Sequence, residues 1–132
     1  MDLFNRLENL KTLLIDDDEI IRDSLVLAFR NKGCYLLAVE TAEEGLEALR
    51  KERFDIIIAD YILPGMDGIE FLKLATRSHP NTVNIIITAY ADDIASEALS
   101  IGVHDFMQKP FSLEKLIESL VLSIEKREEK IQ

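Results

Sequence analysis

A parallel β-sheet covered by helices on both faces is the fold class this sequence predicts. Two observations carry that prediction: short, unbroken apolar runs rich in β-branched residues recur five times, and amphipathic helical patterns separate them. Strands buried on both faces read as continuous apolar runs, whereas strands with a solvated face alternate with polar residues. Strict alternation of strand and helix makes the strands parallel and joins them by right-handed crossovers. The length agrees, because 132 residues suit one domain, and a chain of that size buries about two-thirds of its unfolded surface.

The elements follow in order. Leu3, Phe4, Leu7 and Leu10 have helical spacing, so residues 1–10 are predicted to form a short amphipathic helix resting on the domain or on a partner. The first strand spans 12–15 and runs into Asp16, Asp17 and Asp18. The helix after it places Ile21, Leu25, Ala28 and Phe29 on one face and stops at Gly33. A second strand covers 35–39, and the next helix opens on a capping box from Thr41 to Glu44 and buries Leu46 and Leu49. The third strand, 56–59, is followed after Gly68 by a helix with Ile69, Leu72 and Ala75 inward. The fourth strand is 85–87, and the helix over 92–100 is apolar mainly through alanines, which makes it the most thinly packed. A weak fifth strand at 106–107 precedes the last helix, which starts at Ser112 and carries Leu113, Leu116, Ile117, Leu120 and Ile124 on one stripe. The charged tail lacks Pro and Gly, so that helix continues past the core. The chain thus divides into an N-terminal extension (1–10), a globular unit (11–125) and a C-terminal continuation of the last helix (126–132).

Composition excludes several functions. A net charge of −10 repels phosphate backbones, so direct nucleic-acid binding is not expected. The longest apolar run is six residues, 34–39, far below the roughly 20 of a membrane span. The N-terminus has no basic stretch leading into an apolar core, and a single cysteine offers no disulfide framework, so a reducing, cytoplasmic setting is expected. Cys34 opens an apolar strand and reads as a core residue. His79 and His104 are isolated, without zinc-ligand spacing. There is neither a Gly-x-Gly-x-x-Gly nor a Walker loop.

Functional groups of open parallel sheets collect at the carboxyl ends of the strands. Here those ends present Asp16 and Asp17, Asp60, Thr88, and Lys109 followed by Pro110. An isolated acid after a strand is usually a turn former or a cap, the role that suits Asp18. Three carboxylates converging from neighbouring strands repel one another unless a cation lies among them, and hard oxygen ligands suit Mg²⁺. A carboxylate in such a site can act as a nucleophile and form an acyl phosphate, with Lys109 as a point charge and Thr88 as a hydroxyl donor for the phosphoryl group.

These residues resemble a known family. The segments Leu14-Ile15-Asp16-Asp17-Asp18, Asp60-Tyr61-Ile62-Leu63-Pro64-Gly65-Met66-Asp67-Gly68, Ile87-Thr88-Ala89 and Asp105-Phe106-Met107-Gln108-Lys109-Pro110-Phe111 look like the receiver domain of two-component response regulators, in order and with the family's spacing over about 11–125. The resemblance implies a doubly wound, flavodoxin-like five-stranded sheet of order 2-1-3-4-5 with five helices. It implies Asp60 as the phosphoacceptor, with Thr88 and Lys109 binding the phosphoryl group. Mg²⁺ would be held by Asp17 directly, Asp16 through water, Asp60, and the backbone carbonyl of Ile62. Thr88 and Phe106 would form the switch, and the Lys109–Pro110 peptide would be cis. The implied partners are a sensor histidine kinase or phosphotransfer protein and a downstream effector domain or protein, with pairing to a second copy left open and no membrane involved.

Where the family often has an amide or acid, two positions beyond the phosphoacceptor and two beyond the threonine, this chain has Ile62 and Tyr90, which are expected to tune dephosphorylation. By this reading the protein is a phosphorylation-activated signalling switch, not an enzyme beyond its own phosphotransfer and autodephosphorylation. Two other readings compete with it. A haloacid-dehalogenase-like phosphatase also begins with Asp-x-Asp after a strand, but it needs a further acidic pair after the lysine and leaves Asp60 unexplained. A phosphorylation-independent interaction module leaves the intact acid set unexplained.

Overall fold

The computed structural model describes the backbone of residues 2–131 and the side chains of residues 2–129, so Met1 and Gln132, the outermost residues of the two expected extensions, lie outside the described residues. Five strands, β1 (Lys11–Ile15), β2 (Tyr35–Val39), β3 (Ile56–Asp60), β4 (Val83–Thr88) and β5 (Asp105–Gln108), alternate with α1 (Glu19–Asn31), α2 (Ala42–Lys51), α3 (Gly68–Ser78), α4 (Ala91–Ser100) and α5 (Leu113–Ile131). The strands are parallel and lie in the order β2-β1-β3-β4-β5, the flavodoxin-like arrangement.

Pleating divides the apolar runs between two cores. Leu14, Ile56, Ile58, Ile85 and Ile87 pack beneath α1 and α5, against Leu25, Phe29, Leu116 and Leu120. Leu13, Ile15, Ile57, Ala59 and Ile86 face the other way and pack beneath α2, α3 and α4, against Leu49, Phe71, Leu72, Ile94 and Ala98. Of the predicted capping box the N-cap half forms, with Thr41 Oγ1 accepting from the Glu44 N–H at 3.1 Å, while the Glu44 carboxylate accepts from the Thr41 hydroxyl at 3.1 Å.

Two strands depart from the expectation of burial on both faces. β2 is an edge strand, with Tyr35 exposed and the rest only half-buried, and β5 on the opposite edge is likewise only partly covered. β4 begins two residues earlier than its apolar run, because Asn84 is polar yet buried and its side-chain carbonyl accepts from the Thr82 hydroxyl at 3.1 Å. A buried amide satisfied in this way does not interrupt a strand.

The N-terminal extension forms a 3-10 helix, Leu3–Leu7, rather than an α-helix. Residues three apart eclipse in that geometry, which puts Phe4 and Leu7 on one inward edge. Both are buried against α1 and α5, the Phe4 ring meets Phe29 edge-on at 5.3 Å, and Asp2 caps the turn by accepting from the Phe4 N–H. Lys32–Asp2 at 2.7 Å and Arg6–Glu125 at 3.2 Å secure the segment, so it straps α1 to α5. At the far end, Arg127 of α5 donates to the carbonyls of Asp55 and Asn81. Among the described residues no helix is long and apolar enough to cross a membrane.

Candidate functional site

The three consecutive acids after β1 separate into three environments. Asp16 is fully buried; its Oδ1 accepts from the Asp18 N–H at 2.8 Å, and its backbone carbonyl accepts from Arg22 Nη1 at 2.9 Å. Asp17 is exposed. Asp18 caps α1, accepting from the N–H groups of Ile20 at 2.9 Å and Ile21 at 3.4 Å, the structural role expected of it.

Asp60 closes β3 and is buried, with Oδ1 accepting from the Ile62 N–H at 3.3 Å. The loop beyond it turns at Gly65, whose φ of +82° is a conformation glycine adopts without steric cost, and returns to α3 through Asp67, which caps Glu70. Gly68 then packs directly beneath the strand end. Its N–H donates to the Tyr61 carbonyl at 2.8 Å, and a Cβ there would collide with the Asp60 carbonyl.

From the other side, β4 ends in the buried Thr88, whose hydroxyl accepts from the Tyr90 N–H at 3.0 Å. The Lys109 N–H donates to the Thr88 carbonyl at 2.7 Å, and the Lys109–Pro110 peptide is cis. Lys109 Nζ lies 3.0 Å from Asp60 Oδ2 and 3.0 Å from Asp16 Oδ2. The structure therefore brings Asp16, Asp17, Asp60 and Lys109 into one cluster, with Thr88 tied to it through the lysine backbone. Phe106 is half-buried against the core beneath α2, α3 and α4, while Ile62 and Tyr90 are exposed beside their strand ends.

Burial is the main force on Asp60 and pushes its carboxyl from 3.8 up to about 6; the Asp16 charge adds to this, and the Lys109 ammonium and the Ile62 N–H offset only part. Burial also works against the charged form of Lys109, but two facing carboxylates outweigh it and hold the amine above its ordinary value. One cation among three acids leaves the pocket short of positive charge.

Ligand oxygens of Asp16, Asp17 and Asp60 lie within 4.8 Å of one another. Asp16 Oδ2 is buried and receives no hydrogen bond among the described residues, although the ammonium of Lys109 stands beside it. A buried carboxylate oxygen that faces two further acids and shares one ammonium with Asp60 fits a hard divalent cation. These residues could hold a metal.

Two neighbours were not legible in the sequence. Arg22 holds the Asp16 carbonyl from α1, and Gln108 reaches from β5 to the β4–α4 loop. The only signal was a polar residue at a strand end one position from the lysine, which is weak without knowledge of where its side chain points.

The comparisons with known proteins agree with this geometry. The model of the response regulator receiver domain matches residues 12–121. The chain is 37% identical over 109 residues to response regulator protein FleR of Pseudomonas aeruginosa, covering 82% of this chain and 23% of that one. It is 34% identical over 120 residues to the DNA-binding transcriptional regulator NtrC of Escherichia coli K12, covering 90% and 26% respectively. The chain thus spans about a quarter of the length of these curated relatives. Among solved structures, a CheY-like receiver domain protein from Methanospirillum hungatei superimposes with a TM-score of 0.84 at 31% identity, covering 92% of this chain and 99% of that one. With the family's model matched along most of its length and its strand order reproduced, the chain belongs to the response regulator receiver domain family.

Proposed function

We propose that this receiver domain takes a phosphoryl group onto Asp60 from the phosphohistidine of a sensor kinase or phosphotransfer protein, and that the change is passed to an effector domain or protein. The observation that carries the reading is the cluster of Asp16, Asp17, Asp60 and Lys109 at the carboxyl ends of β1, β3 and β5. A carboxylate oxygen of Asp60 forms the new bond to phosphorus as the bond from phosphorus to the donor imidazole breaks, and the ring, already protonated on its other nitrogen in the donor, leaves as neutral imidazole. Lys109 Nζ, already against Asp60, pairs with the phosphoryl oxygens, and the Thr88 hydroxyl is the nearby donor that can exchange its turn contact for one to the phosphoryl group. Asp16, Asp17, Asp60 and the Ile62 carbonyl are the groups that would hold Mg²⁺. When bound, the ion supplies charge neutralisation and a template for the transferred group.

Phe106 beside the thinly packed α4 is the side chain through which movement of Thr88 would reach the surface of α4, β5 and α5. The test is intact-mass measurement with acetyl phosphate. The wild type should gain one phosphoryl group only with Mg²⁺, and Asp60→Asn should gain none. A stoichiometric adduct on Asp60→Asn would move the nucleophile elsewhere. Asp17→Asn should weaken Mg²⁺ binding more than Asp16→Asn, as a direct ligand against one acting through water.

A further inference from the structure

Gln108 ends β5 one residue before Lys109 and does not enter the acid–lysine cluster. Its amide crosses to the β4–α4 loop: Nε2 donates to the Ala89 carbonyl at 2.6 Å and to the Lys109 carbonyl at 3.1 Å, while Oε1 accepts from the Ala91 N–H at 3.1 Å. These hydrogen bonds flank Tyr90 on both sides. The α4 helix has no side-chain cap from its own N-cap residue, Tyr90, so Gln108 supplies from the next strand what a serine or aspartate supplies locally elsewhere. The same loop begins at Thr88, whose hydroxyl is engaged by the Tyr90 N–H.

We propose that Gln108 is a positioning residue for the phosphoryl site: its amide clasps residues 89–91 in the arrangement that keeps the Thr88 hydroxyl on Tyr90, and it releases Ala89 when the loop closes on a phosphorylated Asp60. The inference rests on the Asp60 reading above. Gln108 is exposed, so water can replace each hydrogen bond and the clasp opens reversibly. The clasp holds the loop open by the net free energy of these hydrogen bonds, and its removal shifts the loop toward the closed form.

The probe is beryllium trifluoride with Mg²⁺, a phosphoryl mimic, titrated calorimetrically into four proteins: wild type, Gln108→Met, Tyr90→Ser and the double variant. Methionine removes donor and acceptor at similar length. Serine at position 90 offers α4 a local cap, so fraying of the helix is separated from release of Ala89. Gln108→Met should tighten binding at least about fivefold in both backgrounds. Binding within twofold of the wild type, or weaker, overturns the clasp. Tightening in the wild-type background that disappears beside Tyr90→Ser assigns the effect to helix capping and likewise overturns it. A wild type that shows no saturable uptake removes the Asp60 reading and the clasp with it.

Discussion

Lys109 Nζ and Asp60 Oδ2 stand 3.0 Å apart across 49 residues of sequence. The same ammonium is 3.0 Å from Asp16 Oδ2, so it serves two buried carboxylates at once. One charge cannot neutralise both. Burial above all, with the Asp16 charge adding to it, makes Asp60 hold a proton more readily than an ordinary aspartate, although it touches a cation.

That upward shift sets a pH dependence. A carboxyl raised from 3.8 to about 6 binds its proton more tightly in the folded chain than in the unfolded one. Folding takes up a proton between these values, so this contribution to stability is complete below about pH 4 and is lost as the pH rises through about 6. Asp60→Asn stays neutral and escapes the loss. In chelator-treated solution it should be more stable than the wild type by about 2–3 kcal/mol at pH 7 and lose that advantage near pH 4, measured by urea unfolding. Equal stability at pH 7 would show that the pocket tolerates the charge.

Gly68→Ala tests how tightly α3 is seated under the end of β3. The added methyl meets the Asp60 carbonyl, which is backbone and cannot rotate aside. A cost of about 2–3 kcal/mol in urea unfolding is expected, together with slower phosphoryl uptake, because the displaced atom belongs to Asp60, the acceptor proposed above. A change under about 0.5 kcal/mol would mean that the loop relaxes freely.

The strap at the N-terminus should contribute to stability without touching the chemistry. Phe4→Ala removes a buried ring packed edge-on against Phe29 and should cost about 3 kcal/mol. Phosphoryl uptake by the folded fraction should be unchanged. A loss below about 1 kcal/mol in thermal unfolding would show the strap to be loosely held.

Lifetime of the acyl phosphate is the fourth expectation. Ile62 and Tyr90 are 53% and 52% exposed, and neither places a hydrogen-bonding group close to its backbone where it could orient a water for in-line attack. After the donor is removed, phosphorylated wild type should decay at least about tenfold more slowly than Ile62→Asn, Tyr90→Glu, a barrier difference of roughly 1.4 kcal/mol. Intact mass followed over time gives both rates. Decay within about twofold would assign control to the metal and lysine instead.

Much of the fold could be read from periodicity, because central strands such as β3 are buried on both faces and leave an unbroken apolar run. Periodicity faltered where burial is satisfied by hydrogen bonds instead of apolarity, as at Asn84, and at the edges, where β2 and β5 are half-covered. The acids, threonine and lysine of the site were legible because they stand at strand ends. Their division of labour was not: Asp16, Asp17 and Asp18 look alike in sequence, and only backbone geometry buries one, exposes the next and turns the third into a cap. The 3-10 form of the strap was hidden because its apolar residues satisfy both helical spacings until their burial is known.

The sheet that separates the two cores also bears on how such a domain can diversify. Side chains on opposite faces of β3 and β4 do not meet within a common core, since Ile56, Ile58, Ile85 and Ile87 belong to one and Ile57, Ala59 and Ile86 to the other. Substitutions that share no packing partner combine nearly additively. A lineage can therefore rework the strap and the α1–α5 layer while the α4 side keeps its tuning, and epistasis concentrates at the strand ends, where both layers meet the same few acids.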